Sequence, residues 1–135
     1  MRQKKVIDKA SSSAPKGYGL HLLADGYGAD PKKLSDVHRL YKTLNSLPEI
    51  IGMTKVGFPH IIEFTKPPIA GISGFVFIVE SHISIHTYSG QGFISIDIYS
   101  CREFKPDKAL QFLRRSYSIT KMDTQLIKRG KHFRP

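Results

Sequence analysis

The sequence has a single cysteine, Cys101, among its 135 residues. One thiol excludes an internal disulfide and any zinc site built from cysteine pairs. No apolar run reaches the ~20 residues of a membrane-spanning helix, and residues 1–16 lack the apolar stretch of a signal peptide. We therefore expect a cytoplasmic protein, in which Cys101 is a buried core residue unless another feature gives it a chemical role.

Acidic residues are also few, because 11 Asp and Glu stand against 21 Lys and Arg for a formal net charge of +10. Residues 1–16 and residues 121–135 each carry +4, which leaves +2 for the body between them. That body has no signature of a helix-turn-helix, RNA-recognition or zinc-finger module. We interpret the ends as solvated basic segments and expect no specific nucleic acid and no membrane as partners, with nonspecific RNA binding as the weaker alternative.

Several common site motifs are absent as well. The chain has neither a GxxxxGK[ST] phosphate loop nor a GxGxxG turn, and it lacks HExxH and GxSxG. His82 and His86 lie on a predicted strand, where four residues span about 13 Å and cannot ligate one metal ion together. No metal site is expected.

The first half of the chain predicts one strand and one helix. Residues 18–24 form an apolar run that ends in the turn-forming residues 25–28. Asp30 followed by Pro31 is typical of a helix start, and Pro48 is expected to end that helix. Between them, apolar side chains recur at helical spacing, namely Leu34, Val37, Leu40, Tyr41, Leu44 and Leu47.

The rest of the chain predicts five strands and a second helix. Strict alternation of apolar and polar residues marks two strands, which a Ser-Gly-Gln-Gly hairpin turn joins. A continuous apolar run before them is typical of a buried strand. In order, we predict a strand within 50–65, a turn at 67–71, strands at 74–79, 82–88 and 93–99, a helix opened by Pro106, and a strand within 118–128.

This order of elements predicts an α/β fold of the α+β kind. We expect a two-layer sandwich in which a mostly antiparallel sheet carries two helices on one face. Residues 1–16 are expected to be a disordered basic lead-in and residues 17–135 a single domain.

The predicted hairpin brings together the residues that could carry chemistry. If its strands pair without a bulge, Ser81 lies opposite Ser100, whereas a one-residue bulge would place it opposite Cys101. His86 and Asp97 project from the same polar face. We therefore expect a serine, a histidine and the thiol to converge in one patch, although a plain hairpin with one solvated face has the same pattern.

One stretch of sequence resembles a known family. Residues 71–87, GISGFVFIVESHISIHT, closely resemble the processing site of the prokaryotic S-adenosylmethionine decarboxylase proenzyme family, which is pyruvoyl-dependent. The family's histidine lies five residues after its serine, which here is His86, and its cysteine twenty after, which here is Cys101. Residues 21–25 resemble the family's first strand. The resemblance implies a carboxy-lyase of spermidine (polyamine) biosynthesis that is made as a zymogen.

The resemblance implies autocatalytic cleavage between Glu80 and Ser81 into residues 1–80 and 81–135. The Ser81 hydroxyl attacks the carbonyl of Glu80 in an N-to-O acyl shift, and the resulting ester is eliminated to leave dehydroalanine. Tautomerisation and hydrolysis then give a pyruvoyl group, the cofactor, which binds the substrate amine as a Schiff base and accepts the electron pair released with carbon dioxide.

The resemblance also implies roles for three further residues. His86 is the proton acceptor in processing, as suits an imidazole near neutral pH. Ser73 supports processing and could donate a hydrogen bond to the oxyanion. Cys101 is the proton donor in decarboxylation. His82 is given no role beyond packing.

Two departures from the family concern the substrate. The glutamate that holds the ribose hydroxyls in the family is Gly90 here, and the aromatic that stacks on adenine is unclear, with Phe64 and Lys66-Pro67 near its place. Pyruvoyl-dependent arginine or ornithine decarboxylation, known among relatives, is therefore the alternative to S-adenosylmethionine. Asp25 and Asp97 are weak candidates to bind the distal cation of such a substrate.

The resemblance finally implies a homodimer of processed protomers. The two copies are expected to pack by their sheet edges or with their helices outward, and their sites would lie near the interface. A non-catalytic binding module is the third reading, and it would leave Ser81, His86 and Cys101 together unexplained.

Overall fold

A computed structural model describes residues 19–134, so the predicted lead-in at residues 1–16 lies outside the described residues. The strands of this part are β1 (Gly19–Tyr27), β2 (Thr54–Phe64), β3 (Gly71–Val79), β4 (Ser81–Tyr88), β5 (Phe93–Ser100) and β6 (Lys121–Arg129). Its helices are α1 (Pro31–Leu34), α2 (Val37–Ile50) and α3 (Pro106–Tyr117), and a 3₁₀ turn, Ser89–Gln91, joins β4 to β5.

The six strands form one sheet in the order β2-β3-β4-β5-β1-β6. Every pairing in it is antiparallel, which confirms the expected α+β sandwich. Strands β2 to β5 follow one another as neighbours, while β1 enters between β5 and β6. The hairpin of β4 and β5 therefore lies in the middle of the sheet, where it is held on both sides.

One hydrophobic core lies between the helices and one face of the sheet. Alternation along each strand sends every second side chain into this core, and the apolar side of each helix meets it from the other layer. Full burial of each such aliphatic side chain stabilises the fold by roughly 1.5–3 kcal/mol. Completely buried members include Leu40, Leu44 and Leu47 of α2, Val76 of β3, and Ile83, Ile85, Ile94 and Ile98 of the hairpin.

The opposite face of the sheet, which we call the helix-free face, keeps large apolar side chains exposed. The apolar run at 74–79 was expected to form a buried strand, and this is wrong for half of its residues. Val76 is buried, whereas Phe77 beside it is 54% exposed. The exposed apolar residues of β2 and β3 on this face are Val56, Ile62, Phe64, Phe75, Phe77 and Val79.

The single helix predicted after Pro31 is in fact two helices. Asp30 caps α1 by accepting a hydrogen bond from the Lys32 backbone N–H at 2.9 Å. Asp36 caps α2 in the same way, from the Arg39 N–H at 3.1 Å. Because a cap residue adopts extended backbone, the second cap breaks the helix between α1 and α2.

Pro48 lies inside α2, so the expectation that it ends the helix is wrong. A proline within a helix removes one hydrogen bond to the carbonyl four residues earlier, and this loss is limited because α2 ends two residues later. The Ile51 N–H still donates to the Leu47 carbonyl at 3.1 Å, and Pro48 itself is buried. Between residues 19 and 134, no helix has both the length and the apolarity needed to cross a bilayer.

Strand β1 runs to Tyr27, well into the turn predicted at residues 25–28. Asp25 and Gly26 disfavour strands, but β1 is paired on both sides at these positions, with Ser95 of β5 and Asp123 of β6 opposite Asp25. Pairing with two neighbours outweighs the local preference. The chain then turns at Gly28, whose φ of 64° favours glycine.

Candidate active site

The hairpin of β4 and β5 pairs in the register predicted from its alternation. Tyr88 faces Phe93 across the turn, and Ser81 at the start of β4 lies opposite Ser100 at the end of β5. The pairing has no bulge, so Cys101 follows directly after the paired residues. The two ends of β4 thus carry different groups, and we call them the Ser81 end and the His86 end.

The Ser81 end holds a hydroxyl beside a thiol. Ser81 Oγ lies 3.8 Å from Cys101 Sγ, and the thiol is exposed. Ser81 has a φ of 107°, a conformation that costs a non-glycine residue energy and that only its surroundings can impose. The chain after β5, which begins with Cys101, is anchored beside Ser81. Ser100 is fully buried, and its Oγ accepts a hydrogen bond from the Arg102 N–H at 2.9 Å.

The His86 end holds a hydroxyl beside an imidazole. Ser73 of β3 is the direct cross-strand partner of His86, and Ser73 Oγ and His86 Nδ1 share a hydrogen bond of 2.8 Å. With Nδ1 engaged, the ring presents Nε2 for proton transfer. A cavity of about 710 Å³ opens beside this pair, and its lining includes Phe64, Lys66, Ile69, Ser73, His86 and Tyr88.

The two ends do not meet within one chain. Ser81 and His86 are five residues apart on a strand, which puts roughly 16 Å between their Cα atoms at ~3.3 Å per residue. The expectation that serine, histidine and thiol converge in one patch is therefore wrong for a single copy. The chain instead brings Ser81 to Cys101 and, separately, Ser73 to His86.

The other sequence candidates occupy the helix-free face. Asp25 and His86 lie in one cross-strand row with Ser95 between them, so about 10 Å separates the two outer strands there. Asp97 is held by His21, whose Nε2 lies 3.0 Å from its carboxylate. Asp25 and Asp97 line a second, smaller cavity of about 280 Å³. Across residues 19–134, no group of three or more His, Cys, Asp or Glu side chains is arranged to hold a metal ion.

His82 packs against an aromatic ring on the helix-free face. Its ring lies 6.0 Å from that of Tyr99, its partner across the β4–β5 pairing. Tyr99 in turn contacts His21 on β1 with ring centroids 5.6 Å apart. These three rings form a continuous row over the middle of the helix-free face.

Sequence reasoning missed two residues near the His86 end. Tyr88, two residues after His86 on the same face, lines the 710 Å³ cavity, and the alternation of β4 could have identified it. Thr87 lies between them and points to the opposite, buried side, where it is only 3% exposed. A threonine at a core position of an isoleucine-rich strand is a signal for a buried hydrogen bond.

This chain is similar in sequence and fold to known proteins. The family model described as S-adenosylmethionine decarboxylase matches residues 20–130. The S-adenosylmethionine decarboxylase proenzyme of Thermoplasma volcanium is 36% identical over 115 residues, which cover 84% of this chain and 85% of the relative. That of Aquifex aeolicus is 34% identical over 119 residues, which cover 88% of this chain and 82% of the relative.

A solved structure agrees with these relatives. The crystal structure of the adenosylmethionine decarboxylase from Aquifex aeolicus matches with a TM-score of 0.72 at 33% identity, over 85% of this chain and 92% of that one. The fold is thus that of an α+β decarboxylase domain. The chain belongs to the S-adenosylmethionine decarboxylase family.

Proposed function

We propose that this chain is a proenzyme that cleaves itself between Glu80 and Ser81 and then decarboxylates S-adenosylmethionine. The pyruvoyl cofactor would form from Ser81. The single observation that carries this proposal is the Ser81 end, where a serine hydroxyl at a turn between two strands lies 3.8 Å from the chain's one thiol. The relatives' name, proenzyme, supports the same reading.

The local backbone favours the first step of processing. The Ser81 hydroxyl must attack the carbonyl carbon of Glu80, which breaks the Glu80–Ser81 peptide bond and forms an ester in its place. Ser81 holds a positive φ of 107°, a conformation that costs on the order of 1–3 kcal/mol. Cleavage releases that constraint, so part of the barrier is offset in the folded proenzyme.

The base that removes the Ser81 Cα proton in the next step must come from outside the Ser81 end. Removal of the Ser81 Cα proton eliminates the Glu80 carboxylate, and hydrolysis then releases ammonia. His86 of the same copy is about 16 Å away along β4, beyond the reach of any side chain. We therefore assign the base to His86 of a second copy, with Ser73 of that copy holding its ring by the 2.8 Å hydrogen bond.

The helix-free face is the surface on which a second copy would dock. Six large apolar side chains of β2 and β3 are exposed there, a patch that a monomer would leave in water. A two-fold axis that lies between the two helix-free faces and crosses over the middle of β4 would lay the His86 end of each copy over the Ser81 end of the other, with the helices outward. Two identical sites result, each built from both copies.

The residues near position 81 suit a pyruvoyl cofactor and the decarboxylation that it would support. A pyruvoyl ketone at position 81 would supply a carbonyl able to bind the substrate amine and to accept the electron pair released with carbon dioxide. Cys101 Sγ lies close enough to that position to return a proton to the substrate carbon. The cavity at the His86 end supplies room for the rest of the substrate, with Tyr88 and Phe64 as aromatic walls.

Gly90 favours a second candidate class of substrate, the basic amino acids. A Cβ at Gly90 would meet nothing within 4 Å, so the place of the family's ribose-binding carboxylate is open. Arginine or ornithine would need a carboxylate for its distal cation, and Asp25, about 10 Å from His86 across the sheet, is the nearest candidate in that row. S-adenosylmethionine stays the first choice because the relatives carry that name.

Intact-mass spectrometry of the purified protein tests the proposal. We expect pieces of residues 1–80 and 81–135, the second starting with a pyruvoyl group, and no cleavage of Ser81→Ala. Ser46→Ala, an exposed serine on α2 in the other layer, is the matched control and should be cleaved. A wild-type protein that stays whole after prolonged incubation would refute the proposed enzyme activity. The non-catalytic binding module would then be the remaining reading.

The substrate is decided on fully processed protein. We expect kcat/KM for S-adenosylmethionine, measured by carbon dioxide release, to exceed that for arginine and for ornithine. A tenfold preference for either amino acid, about 1.4 kcal/mol in transition-state free energy, would overturn the first choice. The cytoplasmic location expected from the sequence stays a prediction.

A further inference from the structure

Thr87 has more buried hydrogen bonds than any other side chain near the site. Its Oγ1 accepts from the Ile72 backbone N–H at 3.0 Å and donates to the Leu34 carbonyl at 2.8 Å, with the Ile72 carbonyl at 3.3 Å as a second acceptor. Leu34 is the last residue of α1, where a helix leaves its carbonyls without partners. One hydroxyl therefore connects β4, β3 and α1.

These bonds continue the β3–β4 connection beyond its last regular pair. The antiparallel register of the two strands runs from Ile78 and Ser81 to Ser73 and His86 and ends there. The final pair of a ladder is the one most prone to open. Because Ile72 precedes Ser73 and Thr87 follows His86, the Thr87–Ile72 bond closes the strands directly behind that pair.

Gly71 shows how close the two strands come at this point. A Cβ on Gly71 would lie 1.8 Å from the Thr87 carbonyl oxygen, so any other residue would push β3 away from β4. The close approach and the buried hydroxyl both involve Thr87, which meets Gly71 in the first and Ile72 in the second. Side chains alternate along a strand, so Thr87 works on the buried side while His86 faces the cavity on the other.

We propose that Thr87 is a positioning residue that fixes the Ser73–His86 pair for proton transfer. Without the hydroxyl, the Ile72 N–H and the Leu34 carbonyl would lose their partner, and the end of the β3–β4 ladder would loosen. The Ser73–His86 hydrogen bond would then sample longer distances, and the imidazole would leave the geometry that proton transfer requires. This inference rests on the proposed self-processing, and Thr87 itself touches no reacting atom.

Thr87→Val tests the inference, because valine keeps the shape and removes the hydrogen-bonding oxygen. We expect self-cleavage to slow by about 10- to 100-fold, as a small misplacement of a catalytic group does, and Thr87→Ser to restore it to within about threefold of wild type. The matched control is Thr43→Val. Thr43 is equally buried and donates to the Arg39 carbonyl at 2.8 Å, but it lies in α2, in the other layer.

A spectroscopic measurement separates positioning from general stability. In the uncleavable Ser81→Ala background, the ¹⁵N shift of His86 Nδ1 reports its hydrogen bond to Ser73. We expect Thr87→Val to move that shift and Thr43→Val to leave it in place. If Thr87→Val fails to fold, Thr87→Ala and Thr87→Ser, which differ only by the oxygen, decide the question by the same cleavage rates.

The outcomes are distinct from those of the proposed function. No cleavage in wild type refutes the enzyme. Cleavage in wild type with an unchanged rate in folded Thr87→Val, or with no rescue in Thr87→Ser, overturns the role of Thr87 and leaves self-processing intact.

Discussion

The two ends of β4 are built in opposite ways. The Ser81 end lies at a turn between strands, with an exposed thiol and a backbone held at a φ of 107°. The His86 end is closed by a cross-strand hydrogen bond of 2.8 Å and a threonine that is 97% buried behind it, since only 3% of Thr87 is exposed. The Ser81 end has the exposed, constrained arrangement that suits a reacting group, and the His86 end holds its imidazole in a fixed position.

This difference teaches how one short hairpin can serve a multistep reaction. A strained peptide suits the residue that is consumed, because its conformation changes when the bond breaks. A proton acceptor gains from rigidity, since transfer depends on a fixed distance and angle. Separation along β4 lets each end meet its own requirement, and in the proposed dimer a second copy would bring the two ends together.

Cys101→Ala should divide processing from turnover, and it has the largest expected effect. The variant should still cleave itself, because Cys101 takes no part in the acyl shift, whereas kcat for decarboxylation should fall on the order of 10²- to 10⁴-fold with the loss of a positioned acid. Ser73→Ala, which removes the β3 partner of His86, should instead slow self-cleavage. Carbon dioxide release and gel analysis of both variants measure this, and full activity of a folded Cys101→Ala protein would make the thiol a bystander.

Gly90→Glu should sharpen the role of the His86 end in substrate binding. A glutamate fits there without a clash, since a Cβ would meet nothing within 4 Å. Charge-assisted hydrogen bonds to the ribose hydroxyls, each worth about 1.5–3 kcal/mol, should lower KM for S-adenosylmethionine by roughly tenfold or more. Gly90→Gln is the control and should gain less. An unchanged KM in Gly90→Glu would show that the ribose lies elsewhere.

Tyr117→Phe should leave the function of both ends of β4 unchanged. It should change only the free energy of unfolding of the domain. Burial raises the pKa of Tyr117 to about 12, while the unfolded chain has the ordinary value of 10.0. Between these values the unfolded state loses the proton first, so the free energy of unfolding falls as the pH rises from about 10 to 12, by up to about 3 kcal/mol.

The phenylalanine variant lacks this proton, so its free energy of unfolding should vary less with pH in that window. Urea denaturation at several pH values measures the slope, and self-cleavage at neutral pH should be unchanged. A slope equal to that of wild type would contradict the assigned burial effect.

Much of the fold was predictable because its signals were local. Alternation along β4 and β5, joined by a four-residue turn, fixed the register that sets Ser81 against Ser100. Pro48 was misleading because a proline in the last turn of a helix removes little hydrogen bonding. The apolar run of β3 could not show that half of its side chains face away from the core, since both faces are apolar.

The candidate site residues Ser81, His86 and Cys101 came from the resemblance to the family, and their roles stay a prediction. The rise of a strand already implied about 16 Å between Ser81 and His86. Phe64 and Tyr88 line one cavity although they are on strands that are not neighbours, β2 and β4, so only the folded sheet brings them together. Thr87 depends on a carbonyl of α1, whose separate existence the sequence pattern did not reveal.

Co-expression of two inactive variants tests the central claim, that each site takes its Ser81 end and its His86 end from different copies. Ser81→Ala has no nucleophile and His86→Ala no base, so neither alone should cleave. Expressed together with distinct tags, they should form mixed dimers in which His86 of the Ser81→Ala copy serves Ser81 of the other. With random pairing, about half of the His86→Ala chains should be cleaved and none of the Ser81→Ala chains. Mixed dimers in which the His86→Ala chain stays whole, while wild type is cleaved, would contradict the account.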